Sequence, residues 1–383
     1  MKLVIPDNND PELPVAVNRL VARPSNHIIG EIYGKPTKTK AMGSGRANLR
    51  SNGLDNEEMV KRVLQFKEMG IEYDYTLNGI LPRARILENR GQIIEELEWL
   101  ESSPITKVTI ANYEVAKLAE KYAPSMDLAI SFFAGVKSKK GFIQWAQLQN
   151  VKEINTDVAT YRNLPLLEDL VNTGKKTDTD VRVIANLGCM SDCARKEEHA
   201  IIKDMASIDR ENLHYAPCTY FCMKYNLENP EEFLKMPLIR PEDVKKYDDI
   251  GIASVKIVDR VQTTPWIEQV VGYYLAEEFD GNILDLTCTY TRLGLEKRTT
   301  QQVSEVDMKR VMESRAGVLQ YREILPELMS VSIDPEYNLL ACHNTCESCR
   351  SGCYDPSAVK VDPKRREIVL AQLNRLESEY LFK

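Results

Sequence analysis

The amino-acid sequence predicts an α/β protein: a (β/α)8 TIM-like barrel followed by a mostly helical C-terminal extension that carries a cysteine cluster. Eight short runs rich in β-branched and apolar residues occur within about 275 residues. Most neighbouring runs are separated by a segment long enough for a crossover helix, which is the pattern of a parallel sheet. Eight such units favour closure into a barrel, and a doubly wound open sheet is the competing architecture.

The eight predicted strands follow one another along the chain. They cover residues 2–6, 27–34, 71–78, 105–112, 126–133, 151–157, 181–188 and 251–260. Crossover helices are predicted at 11–22, 113–123 and 164–171 from their apolar periodicity. Asp55 with Glu58 three residues later is a capping-box pattern, and Gly70 is the expected stop of that helix. The last barrel helix is predicted within 263–279, with Thr264 as its N-cap and Pro265 in its first turn.

Two regions are predicted from this pattern. Residues 1–280 form the barrel, and its loop at 189–250, after the seventh strand, is far longer than the other connections. Loops of this length in compact domains are usually functional. Residues 281–383 form the C-terminal extension, which is expected to bind a second metal cluster.

Composition limits the function classes. The 383 residues carry a formal net charge of −7, which argues against a general nucleic-acid binder but leaves a small basic patch possible. No apolar run approaches the roughly 18 residues that a membrane span needs. The first residues do not read as a signal peptide, so we expect a cytoplasmic protein. Nine cysteines in such a chain favour metal or redox chemistry over disulfides.

Four cysteines follow the seventh predicted strand, at the end of the barrel where TIM-barrel chemistry takes place. They form two pairs at i, i+4 spacing, Cys189 with Cys193 and Cys218 with Cys222. Thiolates are soft ligands, so the four could hold an iron–sulfur cluster or a structural zinc ion. A set of incidental buried cysteines is the remaining interpretation.

Other polar residues are expected at the same mouth. Arg195 follows the first cysteine pair and either binds an approaching anion or neutralises the thiolates, and His199 either acts in catalysis or caps its helix. Asp157 and Arg260 end the sixth and eighth predicted strands. These four are the predicted catalytic residues. Arg46, in a glycine-containing loop, is the predicted binding residue, because a forked guanidinium suits a carboxylate.

A second group of cysteines lies near the C-terminus. Cys342, Cys346 and Cys349 have the CX3CX2C spacing of radical-SAM enzymes. Those enzymes carry the motif after the first barrel strand, however, and Cys353 supplies a fourth thiolate that would fill the open iron position. We therefore predict an auxiliary cluster of the compact ferredoxin type, with zinc and radical-SAM chemistry as alternatives.

Three stretches resemble the collagenase-like peptidase family U-32. They are IRPEDVKKYDDIGIASVKIVDR at 239–260, NLGCMSDCARKEEH at 186–199 and EEMVKRVLQFKEMGIEYDYTLNG at 57–79. Together with the start KLVIP, the resemblance covers about residues 1 to 280. Its most specific parts are the cysteine loop and the Pro-Glu-Asp helix start that precedes the last strand.

The resemblance implies a TIM barrel with a [4Fe–4S] cluster on the first cysteine quartet, and the C-terminal quartet would add a second. It implies oxygen-independent hydroxylation, or a related redox modification, of a small-molecule or peptide substrate. Prephenate or a similar carboxylate would be the co-substrate, and a protein partner or electron donor is possible. The alternatives are a non-catalytic electron-relay or scaffold subunit, and the peptidase or peptide-modifying factor that the family name suggests.

Overall fold

The structure is a computed structural model of the 383-residue chain. It describes residues 1–35, 42–43, 54–80, 82–190, 193–208, 222–260, 262–287, 331–341, 355–376 and 378. Within these residues, no helix is both long and apolar enough to cross a membrane.

Eight parallel strands close into a barrel in chain order, and β1 pairs with β8 to complete the ring. The strands are β1 Lys2–Pro6, β2 Ile28–Gly34, β3 Glu72–Leu77, β4 Lys107–Ile110, β5 Asp127–Ile130, β6 Val151–Asn155, β7 Asp180–Ile184 and β8 Ser254–Lys256. Each predicted strand is present, so the predicted TIM-like barrel is confirmed. β1 has the predicted bounds, and the other seven strands are shorter than predicted because turn and cap residues take up their ends. Gly251, for example, has a φ of +88° and precedes β8 rather than starting it.

Helices cover the outside of the barrel. They are α1 Leu13–Val21, α2 Asn56–Glu68, α3 Arg83–Glu88, α4 Arg90–Ser102, α5 Tyr113–Tyr122, α6 Lys139–Ala146, α7 Leu164–Thr177, α8 Lys196–Ile208, α9 Met223–Glu228, α10 Val244–Asp249, α11 Thr264–Ala276, α12 Ile283–Leu286 and α13 Pro363–Leu376. Short 3-10 helices cover Phe132–Ala134, Val158–Thr160, Pro230–Lys235, Pro241–Asp243, Leu339–Ala341 and Pro356–Ala358. Apolar side chains of strands and helices form one continuous core between the two layers.

Two helix starts test the predicted capping. The capping box of α2 is confirmed, because Asp55 accepts from the Glu58 amide and the Glu58 side chain accepts from the Asp55 amide. The predicted N-cap of α11 is wrong by one residue. Thr263 has extended backbone dihedrals and accepts from the Trp266 amide, whereas the Thr264 hydroxyl donates to Asp10. In a Thr-Thr-Pro run, this tertiary contact decides which threonine caps the helix.

The described part of the extension lies against the barrel. Strands β9 Val331–Ile333 and β10 Val359–Val361 form an antiparallel pair, and α13 packs on α9. The buried Arg162 donates to the carbonyl oxygens of Leu234, Met236 and Leu339, the last at 3.0 Å. Arg162 therefore ties residues 339–341 to the long loop after β7. The predicted division at residue 280 stays a prediction.

Candidate functional site

The interior of the barrel is charged. Side chains that alternate along the strands point inward, and six of these buried positions carry a charge: Glu31, Asp74, Lys107, Glu153, Arg182 and Lys256. Three acids thus face three bases. Because a lone buried charge is costly, this balance is what allows the set to stay ionised inside the protein.

The layer nearer the amino ends of the strands is fully paired. Arg182 contacts Glu31 at 2.5 Å, Asp74 at 3.4 Å and also Glu153. Lys107 lies 2.7 Å from Glu31 and 3.4 Å from Glu153. Burial alone would raise the pKa of Glu31, but the adjacent Arg182 and Lys107 hold it well below its usual range. This layer is an ion-pair network that fills the barrel.

In the layer nearer the mouth, the ion pairs are longer. The Lys256 ammonium lies 4.0 Å from the nearer Asp74 carboxylate oxygen and 3.6 Å from the centre of the Tyr33 ring. Burial lowers the pKa of Lys256 to about 8. The Asp74 carboxylate accepts from the Thr109 hydroxyl at 2.6 Å, and burial, with Glu31 nearby, raises its pKa.

Two of the predicted catalytic residues end strands at the mouth. Arg260 is half-buried after β8 and donates to the Thr76 hydroxyl of β3 at 2.9 Å. Asp157 follows β6, caps the next 3-10 helix by accepting from the Ala159 amide, and pairs with Lys196 of α8. Arg260 therefore lies across the barrel mouth, whereas Asp157 anchors the segment that follows the first cysteine pair.

The other polar strand ends mainly build the fold. Asn186 donates to the carbonyls of Val258 and Leu286 and accepts from the Val258 amide, so it joins β7 to the segment after β8. Ser131 caps a 3-10 helix, and its hydroxyl accepts from the side-chain amide group of Asn78 at 3.3 Å. The buried carbonyl oxygen of the Asn78 side chain has no hydrogen-bond donor among the described residues.

Three predicted ligands of the first quartet, Cys189, Cys193 and Cys222, are among the described residues. Cys189 and Cys193 are half-buried and Cys222 is buried. Cys189 lies near the buried Tyr161, whose pKa is raised by burial and further by the charges of Asp157 and Cys189. The next residue along the chain is Arg162, which holds the segment that follows Cys222. Cys189 therefore lies near Tyr161, and Arg162 fixes Leu234 and Met236 in the long loop that follows β7.

Helix α8 carries the remaining predicted catalytic residues. Arg195, just before it, is exposed, and His199 in its first turn is half-buried and donates its backbone amide to the Arg195 carbonyl at 2.9 Å. The buried carboxylate of Asp204 lies against Gly79 after β3. A Cβ on Gly79 would approach an Asp204 oxygen to 2.5 Å, so the glycine allows α8 to sit this close.

The described residues do not by themselves complete a metal site. Within them, no three His, Cys, Asp or Glu side chains are placed to hold one metal ion. Cys218, the whole C-terminal quartet and Arg46 lie outside the described residues. Both cysteine quartets, and the roles of Arg195, His199, Arg260, Asp157 and Arg46, therefore stay predictions.

The sequence reasoning missed the charged interior. The sequence pattern that predicts a charged interior is a charged residue at every second position of a strand, as in Glu72 and Asp74 of β3 or Asp180 and Arg182 of β7. Ordinary barrels place apolar branched side chains there. A charged residue between apolar neighbours in a parallel strand, which is covered by helices outside, has only the interior to point to.

No family model matches the chain. A curated relative, the uncharacterized protease MJ1657 of Methanocaldococcus jannaschii, is 23% identical over 252 residues, which cover 64% of this chain and 72% of the relative. The solved structure of the U32 peptidase Mk0906 covers 67% of this chain and 90% of its own, at 14% identity and a TM-score of 0.45. The chain resembles the U32 peptidases. A GH113 β-1,4-mannanase, with 10% identity and a TM-score of 0.38, covers 72% of this chain and 98% of its own.

The predicted resemblance to the U32 family is thereby confirmed as a resemblance. The additional C-terminal cysteine module lies outside the described residues and stays a prediction.

Proposed function

We propose that this U32-like chain is an iron–sulfur enzyme that modifies a small organic or peptide substrate by redox chemistry, such as oxygen-independent hydroxylation. Its first [4Fe–4S] cluster would be held by Cys189, Cys193, Cys218 and Cys222. The observation that supports this most is that Cys189 follows β7 and lies near Tyr161, while Lys196, three residues after Cys193, pairs with Asp157 at the end of β6. The first cysteine pair is therefore at the carboxyl end of the barrel.

A cluster bound there would supply one-electron redox chemistry at the barrel mouth. The protein residues would bind and orient the substrate. Arg260 offers a guanidinium at the mouth and Lys256 offers an ammonium below it, so a substrate or co-substrate with a carboxylate fits the charge of this surface. Prephenate or a similar carboxylate is the proposed co-substrate.

The C-terminal quartet is proposed as an auxiliary cluster that passes electrons. Arg162 holds the Leu339 carbonyl oxygen at 3.0 Å, and Cys342 is three residues further on. The described residues just before this quartet are therefore held against the barrel, which is the observation that favours a link between the two quartets.

A hydrolytic role is the second candidate, because the curated relative is named a protease. A scaffold or electron-relay subunit remains the third. In either case the zinc ion or cluster held by the cysteines would not carry out redox chemistry on a substrate. The metal content of the protein separates zinc from iron–sulfur chemistry directly.

The test is a set of cysteine variants purified without oxygen. Cys189→Ala should remove about four irons and four sulfides per chain, Cys342→Ala should remove a different four, and Cys288→Ala, outside both quartets, should remove none. Circular dichroism would show that each variant is folded. Loss of iron from the Cys288→Ala control, or full iron retention in both quartet variants, would contradict the proposed ligand sets.

A further inference from the structure

Lys256 differs from every other charge in the barrel interior. It is the last residue of β8, so its side chain lies toward the mouth, and it is buried. Its ammonium lies 4.0 Å from the Asp74 carboxylate and over the face of the Tyr33 ring. Among the described residues, no acceptor lies within hydrogen-bonding distance of the Lys256 Nζ, although an ammonium has three donors to satisfy.

Lys107 provides the matched comparison within the same barrel. It is also a buried interior lysine, but its ammonium binds Glu31 at 2.7 Å and Glu153 at 3.4 Å. These carboxylates overcome the effect of burial and raise the pKa of Lys107. Lys107 also lines a cavity of about 410 Å³ at the amino end of the barrel. It is therefore reachable but held in its charged form.

The surroundings of Lys256 lower the pKa of its amine, whereas those of Lys107 raise it. Burial is the largest effect and lowers the pKa of Lys256 to about 8, and the positive charges of Arg182 and Arg260 act in the same direction, while the carboxylates of Asp74 and Glu31 oppose them. At pH 7 the neutral amine fraction is then about 9%, roughly 300 times that of a lysine with a pKa of 10.5. A neutral amine in a buried site is the state that nucleophilic lysines need.

We propose that Lys256 is a nucleophilic amine that binds an aldehyde or ketone as a Schiff base, and that the carbonyl compound also carries a carboxylate, which Arg260 would bind. The geometry supports this class of ligand because the amine and the guanidinium both come from the carboxyl end of β8, four residues apart. The proposal concerns the barrel alone and does not depend on the presence of either cluster.

The bonds of this step balance without an external redox partner. The Nζ lone pair of neutral Lys256 attacks the carbonyl carbon, so a C–N bond forms and the carbonyl π-bond opens to an alkoxide, which is protonated. The resulting carbinolamine loses its Nζ proton, and its hydroxyl group leaves as water after protonation. The C=N bond forms in this step. Asp74, 4.0 Å from Nζ and with a raised pKa, is the group placed to accept and return that proton.

The test is reductive trapping on the full-length, anaerobically purified protein. Pyruvate plus cyanoborohydride at pH 7 should add one carboxyethyl group per chain, and peptide mass spectrometry should place it on Lys256. Labelling there should be at least about tenfold faster than at Lys107 or at surface lysines, since their amine fractions are smaller. Arg260→Lys should slow labelling by pyruvate more than labelling by acetaldehyde, which has no carboxylate.

Lys256→Arg keeps the charge and removes the amine, so it should abolish the single preferred label while its circular dichroism stays that of the wild type. The decisive result comes from the wild type and does not depend on that variant folding. Labelling of wild-type Lys256 at or below the rate of surface lysines, with pyruvate and with acetaldehyde, would overturn the proposal. Equal slowing of both probes by Arg260→Lys would overturn the carboxylate part.

Discussion

Arg182→Met is the change that probes the charged barrel interior most directly. Arg182 is 1% exposed and contacts Glu31, Glu153 and Asp74, and it also donates to the Ser254 hydroxyl at 2.9 Å. Methionine keeps an unbranched chain of moderate length but no charge. Three carboxylates would then share the interior with two lysines, one of which is the weakly paired Lys256.

The expected loss follows from the energetics of buried ion pairs. Removing one partner from such a pair costs about 3 to 5 kcal/mol, because the other charge stays buried without compensation. At about 1.4 kcal/mol for each factor of ten, the unfolding equilibrium constant should rise by between roughly a hundred and several thousand. We place Arg182→Met in this range because its guanidinium serves more than one carboxylate.

Chemical denaturation followed by tryptophan fluorescence would measure this loss. The matched control is Arg19→Met, which removes an arginine whose bidentate pair with Glu268 is at the surface. Exposed pairs are weakened by water and salt, so the control should lose little. If Arg182→Met lost no more stability than Arg19→Met, the interior network would not have the energetic role given to it here.

The pH dependence of the same variant has a defined sign. In the wild type, Glu31 has a lowered pKa, so its contribution to stability is present above the unfolded value near 4.5 and is lost only as pH falls through its folded value. Without Arg182 the pKa of Glu31 should rise. The stability difference between wild type and Arg182→Met should therefore shrink as pH falls from 7 to below about 4, because protonated carboxyl groups no longer need the cation. A difference that grows in this range would contradict the assignment.

Two further substitutions test how the mouth is assembled. Gly79→Ala places a methyl group about 2.5 Å from an Asp204 oxygen, so it should displace α8 and lower stability by about 1 to 3 kcal/mol. Amide hydrogen exchange over 196–208 should then become faster. Gly91→Ala is the control, because Gly91 has open space around it and the substitution should have neither effect. Unchanged exchange in α8 would contradict this. Arg162→Met leaves carbonyl groups such as that of Leu339 without their donor, so proteolysis within 331–341 should quicken; an unchanged cleavage rate would show that other contacts hold the segment.

The barrel could be predicted because its signals are local. Short apolar strands, helical periods between them and the Asp55–Glu58 capping box each act over a few residues, and the structure contains all of them. The N-cap of α11 was misassigned because the choice between Thr263 and Thr264 depends on Asp10, more than 250 residues away in sequence. Most predicted strands are too long because residues of helix caps and turns, which do not pair with a neighbouring strand, cannot be told from strand residues by local sequence.

The candidate site could be predicted only in part. The cysteine spacing predicts the first quartet, of which three members, Cys189, Cys193 and Cys222, are among the described residues. The interior position of Lys256 could not be recognised without the barrel, because a lysine in GIASVKIVDR reads equally well as a strand-end surface residue. Its low pKa comes from burial inside the barrel and from the positive charges of Arg182 on β7 and Arg260 after β8, and only closure of the barrel creates this environment.

The proposed iron–sulfur clusters and structural zinc differ in metal and sulfide content. Iron, acid-labile sulfide and zinc should therefore be measured in the wild-type protein purified without oxygen. We expect a brown protein with about eight irons and eight sulfides per chain, from two four-thiolate sites. Stoichiometric zinc with no inorganic sulfide would contradict this expectation.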